Sequence, residues 1–272
     1  MPAIDPARLR RQVEDLGAQG REAALLRART LELLDFYRDR TRRPSAAARA
    51  ADPNRRTLGV PRPVLRAVAR GLDELLGPDA DARLALAGEL WEAGLAESQY
   101  LACCVAGALP VEQAVNWAAG RAKLSDSRAA LKDLAEQGLS DLRAQHPQQL
   151  LEAVERWMRS GDPRLRALAY FAAASQVDDE GFRDLPAVFR LVESTLQDAG
   201  GFPQPALQQL IEAMARRSPP EAARLLIDEL GRAIPGIDDM VRLTLPAFPP
   251  FQRGRLERAL SALRRAGIIP PS

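Results

Sequence analysis

Apolar residues recur three and four positions apart in block after block of this chain. Leu150, Leu151, Val154, Trp157 and Met158 form one such stripe, and Leu256, Leu260 and Leu263 form another. That spacing lays them along one face of an α-helix, and no stretch alternates like a strand for more than a few residues. The punctuation agrees with the period. Asp162-Pro163 reads as an N-cap followed by a first-turn proline, Ser218-Pro219-Pro220-Glu221 as a capping box, and Gly77, Gly94 and Gly161 as helix stops. These boundaries predict antiparallel helix pairs at 61–76 with 81–94, 97–108 with 110–122, 128–144 with 146–160, 162–177 with 184–198, and 203–217 with 219–231, then a last helix at 251–266. Pair starts at 97, 128, 162 and 203 are 31, 34 and 41 residues apart, near the period of helical-repeat arrays. The expected fold is all-α, a HEAT-like helical-repeat solenoid (an α-α superhelix), with a plain helical bundle as the alternative. N-terminal helices occupy 1–40, a basic mobile loop 41–59 and the array 60–272, in a single domain overall.

Composition narrows the class. The 272 residues are 46% apolar and 27% charged, which supports a large core and excludes global disorder. The longest apolar run, Leu101 to Leu109, is about half of the ~20 residues that cross a bilayer, so no membrane span is expected. Asp5 stands where a signal peptide needs apolar residues, which makes the cytoplasm the default location. Cys103 and Cys104 are neighbours and point about 100° apart on a helix, so they read as two small buried hydrophobes. With His146 the lone histidine, no usual zinc site has enough ligands, and neither a metal nor a cofactor is expected. Phosphate-cradling, dinucleotide, metalloprotease and serine-elbow motifs are all missing. The clusters Asp178-Asp179-Glu180 and Asp238-Asp239 read as helix-start or loop charges, and Trp91, Trp117 and Trp157 fall on apolar stripes that belong in a core.

Where the charge sits is more telling than its total. The formal net charge is +2, yet residues 38 to 70 hold ten arginines against Asp39 and Asp52. A smaller excess lies near the end, with Arg253, Arg255, Arg258, Arg264 and Arg265 against Glu257. All basic residues but Lys123 and Lys132 are arginine, whose planar fork matches phosphate oxygens. A polyanionic partner is the reading this lopsidedness favours, with a solvated basic loop as the alternative.

The stretch LGVPRPVLRAVARGL from Leu58, followed by LAGELWEAGLAESQYLACCVAGALP, resembles the front half of the DNA alkylation repair family, the HEAT-like alkylpurine DNA glycosylases. Gly59, Val60, Pro61, Leu90, Trp91 and Glu97 stand at the family's matching places, and the likeness runs over roughly residues 58 to 230. The resemblance implies duplex DNA held against an arginine-rich concave face and release of cationic alkylated bases. It further implies an aspartate that stabilises the developing oxocarbenium charge, tryptophans packed on the sugar and an arginine on the phosphate. Carried over residue by residue, the aspartate one helix before the Trp157-to-Ser160 block is Asp133, and the phosphate-holding arginine is Arg164 or Arg166. The aromatic expected four residues before the aspartate is Ala129, and the late tryptophan is replaced by Gln208 or Gln209.

Three functions follow. The first is a DNA-binding member of the family that recognises double-stranded, damaged or distorted DNA through backbone contacts, its glycosylase activity weak or lost. In it Arg42, Arg43, Arg55 and Arg56 form an arm reaching flanking phosphates, and Arg164 and Arg166 add to the DNA-binding set. The second is an active glycosylase releasing 3-methyladenine or 7-methylguanine through Asp133, and the third is a protein-interaction scaffold.

Overall fold

A computed structural model of the chain describes residues 5–18, 20–39, 41, 52, 55–198 and 205–266. The described residues form helices and turns with no strand, the nearest thing to one being a single parallel bridge between Arg56 and Leu95. The protein is all-α. It divides into two compact units that meet in the sequence at His146 and Pro147.

The first unit contains α1 (Pro6–Glu14), α2 (Ala23–Phe36), α3 (Arg62–Leu76), α4 (Ala80–Glu92), α5 (Ala96–Ala106), α6 (Val111–Lys123), α7 (Arg128–Glu136) and the short α8 (Ser140–Gln145). Helix α3 shows how the pattern works. Val64, Leu65, Val68, Leu72 and Leu76 are buried along one side and pack on α1 and α5, so the polar residues of the helix are forced outward. Helices α3, α5 and α7 pack in succession, each against the next but one, while α4 lies between α2 and α5. Leu26, Leu34, Leu86, Leu90, Leu101 and Leu134 are fully enclosed in this core. Burying a leucine side chain stabilises by about 1.5–3 kcal/mol, which makes this layer the main source of the unit's stability.

The second unit contains α9 (Pro147–Met158), α10 (Pro163–Val177), α11 (Leu185–Asp198), α12 (Pro205–Arg217), α13 (Pro219–Gly231), α14 (Ile237–Thr244) and α15 (Pro250–Arg265). Here α10, α12 and α14 pack in one row and α9, α11, α13 and α15 in another. Next-but-one packing of this kind stacks helical hairpins side by side. Asp162 caps α10 as expected, its Oδ1 accepting from the Arg164 N–H at 2.8 Å.

Three expectations need correction. The helix at 128–144 is two, α7 and α8, because Gln137 and Gly138 both donate their N–H groups to the Asp133 carbonyl and turn the chain. Gly107, at the end of α5, sits against that turn so closely that a Cβ there would overlap the Gln137 carbonyl oxygen. Helix α14 has no place among the expected pairs, although Asp238 and Asp239 stand in its first turn, the first of the two places read for them. The capping box at Ser218 does not form: its hydroxyl donates to the Glu221 Oε2 at 2.6 Å and accepts no helix N–H. That hydroxyl holds the Glu221 carboxyl below its ordinary value.

Candidate functional site

The site starts from one buried carboxylate. Glu97 lies in the first turn of α5 and is 5% exposed, and it receives the N–H groups of Leu58 at 3.0 Å, Gly59 at 2.7 Å and Val60 at 3.3 Å, together with the Thr57 hydroxyl at 2.6 Å. Gly59 reaches the required turn with φ of 74°, a left-handed conformation that side chains resist. The Arg56 carbonyl accepts from the Ala96 N–H at 2.8 Å, so residues 56–60 are moored to the start of α5 before α3 begins. The last residues of the segment read as a mobile basic loop are therefore held by specific bonds. That explains physically why Gly59, Val60, Pro61 and Glu97 belong together.

This mooring brings Arg55 over α7. Its Nη2 lies 2.8 Å from Asp133 Oδ2, with the side chains 19% and 13% exposed. The start of α7 is fixed separately: Ser127 caps it by accepting from the Ala130 N–H, and its own hydroxyl donates to Asp52. Asp133 is enclosed rather than solvated, although its neighbour Lys132 is exposed enough to pair with Glu136. Burial raises its carboxyl above the ordinary value, while the hydrogen bond and charge of Arg55, then the charges of Arg62 and Lys132, oppose the rise. Such a pair returns little net stability, because removing both charges from water offsets most of their attraction.

Helix α5 lines the same place. The Arg62 guanidinium lies over the Tyr100 ring, 4.8 Å from its centre, a cation–π contact that orients it next to Asp133. Cys103 is buried and Cys104 half-buried, both free. Burial pushes the Cys104 thiol up to about 11 and the Cys103 thiol well above its usual range, so neither is a nucleophile at neutral pH. Among the described residues no three His, Cys, Asp or Glu side chains converge in a way that could hold a metal ion. Nor, among them, is any helix long and apolar enough to cross a membrane.

The other expected residues lie as follows. Arg42 and Arg43 are outside the described residues. Arg56 is exposed, its backbone engaged and its side chain turned outward. Arg164 and Arg166 belong to α10 of the second unit; two residues apart, they point about 200° apart around the helix and do not share a face. Arg166 Nε is enclosed without a hydrogen-bond partner, one turn before Tyr170, whose phenol burial pushes up to about 12. Around Asp133 no aromatic wall stands four residues before it, where Ala129 lies, and Gln208 donates its amide to Glu212 at 2.8 Å. Trp91 and Trp117 meet edge to face, 5.7 Å between centres, and with Trp157 are buried in core positions.

The sequence model of the DNA alkylation repair enzyme family matches residues 32–237, three quarters of the chain and all of the Asp133 site. The chain belongs to this family. No curated protein and no solved structure matches it. Membership connects the chain to DNA repair, and the Glu97 mooring gives its Gly59-Val60-Pro61 segment a structural role. Two features escaped the sequence. Glu97 was read as a family position with no stated function, although a glutamate in the first turn of a helix, beside a glycine-containing approach, signals a carboxylate that collects backbone N–H groups. The pairing of Arg55 with Asp133 had no signal, since 78 residues separate them and no periodicity relates a loop residue to a helical one.

Proposed function

We propose that this DNA alkylation repair protein recognises damaged or distorted double-stranded DNA through backbone contacts, with glycosylase activity weak or lost. The observation that carries the reading is the ion pair itself: Asp133, the carboxylate that the resemblance assigns to stabilising a cationic sugar, is already neutralised by Arg55 and enclosed. Electrostatic catalysis needs a charge aimed where the transition state develops its own, and a carboxylate spent on a guanidinium supplies little of that. The missing aromatic partners at Ala129, Gln208 and Gln209 support the same reading. The arginine excess between residues 38 and 70 supplies the charge for counterion-releasing phosphate contacts.

A second reading is favoured by the burial of Asp133. Keeping a carboxylate out of water is costly, and such groups cluster at functional sites. A DNA phosphate that drew Arg55 away would leave Asp133 bare in a partly dry site, the state in which it would act as the electrostatic catalyst of an alkylpurine glycosylase. One experiment separates the two. Fluorescent duplex, bubble and four-way-junction DNA are titrated at two salt concentrations, and methylated DNA is then assayed for released base with the natural chain and Asp133→Asn. Salt-weakened binding without Asp133-dependent release supports the proposal. Release of 3-methyladenine or 7-methylguanine that disappears in Asp133→Asn moves the function to the second reading. No binding at low salt overturns both and leaves a protein-interaction scaffold.

A further inference from the structure

Helix α3 carries three arginines that the Asp133 site does not use up. Arg62, Arg66 and Arg70 are all exposed and stand four residues apart. Each step advances about 6 Å along the axis and turns only about 40°, so the three form a single slightly winding row about 12 Å long. The row's direction is not free to drift, because the opposite side of α3 buries Val64, Leu65, Val68 and Leu72.

Two observations argue that this row is not there for stability. Arg66 and Arg70 make no ion pair among the described residues, whereas the exposed Arg159, Arg216 and Arg224 each lie against a carboxylate. The order of charge along α3 also opposes its dipole: arginines occupy its start, no acidic residue stands in its first turn, and no basic residue stands in its last, where Asp73 and Glu74 lie instead. A helix arranged for its own stability carries the reverse order. The row also begins at the candidate site, since Arg62 rests on Tyr100 within the field of Asp133.

We propose that the exposed face of α3, through Arg62, Arg66 and Arg70, is the surface that tracks the phosphates of one strand of duplex DNA. A row of about 12 Å matches the axial extent of three to four successive phosphates on one strand, at about 3.4 Å each, and arginine forks engage phosphate oxygens two at a time. The inference rests on the DNA-binding reading and goes further, because it moves the principal phosphate contacts from the expected arm of Arg42, Arg43, Arg55 and Arg56 to a rigid helix. Arg55 then serves Asp133, and Arg62 joins the two regions.

The test uses the full chain and a fluorescent duplex, with affinity followed across salt concentration. Arg66→Gln combined with Arg70→Gln leaves the Asp133 site untouched and the buried side of α3 intact. Losing two phosphate contacts lowers the steepness of log affinity against log salt by about 2. A control pair, Arg216→Gln with Arg224→Gln, removes the same charge from exposed, ion-paired positions of the second unit and leaves the slope unchanged. If the α3 pair leaves the slope of the natural chain unaltered, or the control pair lowers it as much, the α3 surface is wrong while the DNA-binding reading stands. If the natural chain shows no salt-dependent binding at all, both fall together.

Discussion

Replacing Arg55 by alanine removes the only hydrogen-bonding partner that the Asp133 carboxylate, 13% exposed, has among the described residues. Breaking a fully buried ion pair from one side costs about 3–5 kcal/mol, because the remaining charge stays desolvated. The Asp133 site is not fully closed, and Arg62 and Lys132 still face it, so a loss of about 2–3 kcal/mol at pH 7 is expected. In a unit of roughly this size that corresponds to a fall of about 5–10 °C in Tm. The pH dependence is the sharper signature. Burial already raises the Asp133 carboxyl above the ordinary aspartate value, so the folded chain keeps this proton to a higher pH than the unfolded chain. Protons bound in excess by the folded state make stability fall as pH rises, between the unfolded value of about 3.9 and the folded value. Arg55 opposes that rise, and deleting it carries the folded value higher and widens the window upward. The Arg55→Ala penalty is therefore small at the acid end, where Asp133 takes up its proton, and grows toward neutrality. Denaturant unfolding between pH 4 and 8 of the natural chain, Arg55→Ala, Asp133→Asn and the double variant reads this directly. In the Asp133→Asn background the penalty shrinks and loses its pH dependence. A penalty that is the same at every pH, with coupling below about 0.5 kcal/mol in the cycle, would refute the reasoning.

Two further outcomes follow from the same part of the fold. Glu97→Gln keeps the shape but gives up the charge that three N–H groups and a hydroxyl share, so it costs about 2 kcal/mol in urea unfolding and speeds hydrogen exchange at Leu58, Gly59 and Val60 ahead of the rest of the first unit. Cys104, with its thiol pushed up to about 11, holds roughly 0.1% thiolate at pH 8, so the folded chain reacts slowly with a thiol reagent, and both cysteines titrate at once on unfolding.

The helices were legible because burial imposes its own period. For α3, α6, α10, α12 and α13 the expected bounds lie within a residue or two of those formed, since a continuous buried stripe fixes both where a helix runs and which way it faces. The break between α7 and α8 was passed over although Gly138 marks it locally: a single glycine inside an apolar stripe stops a helix only where the chain also turns, as it does here when Gln137 and Gly138 both bond to the Asp133 carbonyl. Helix α14 was missed because eight residues make too short a stripe to stand out from the prolines around it. At the site, Asp133 was found by its distance from the Trp157 block, a matter of counting. Its enclosure and its pairing with Arg55 are matters of tertiary packing, and it is the enclosure that decides what the carboxylate can do.

The mooring at Glu97 also separates two kinds of freedom in the chain. The fixed side begins at Asp52, which Ser127 holds, and a segment that ends at a fixed point tolerates changes in length cheaply, each doubling costing about 0.6 kcal/mol in closure entropy. Insertions or deletions before Asp52 would stop there and leave the rotation of α3, and with it the direction of its arginine row, where it is. The segment from Thr57 to Val60 has no such licence, because one added residue would move every N–H off the carboxylate it serves. Variation among related chains should therefore gather upstream of Asp52 and halt abruptly at Thr57.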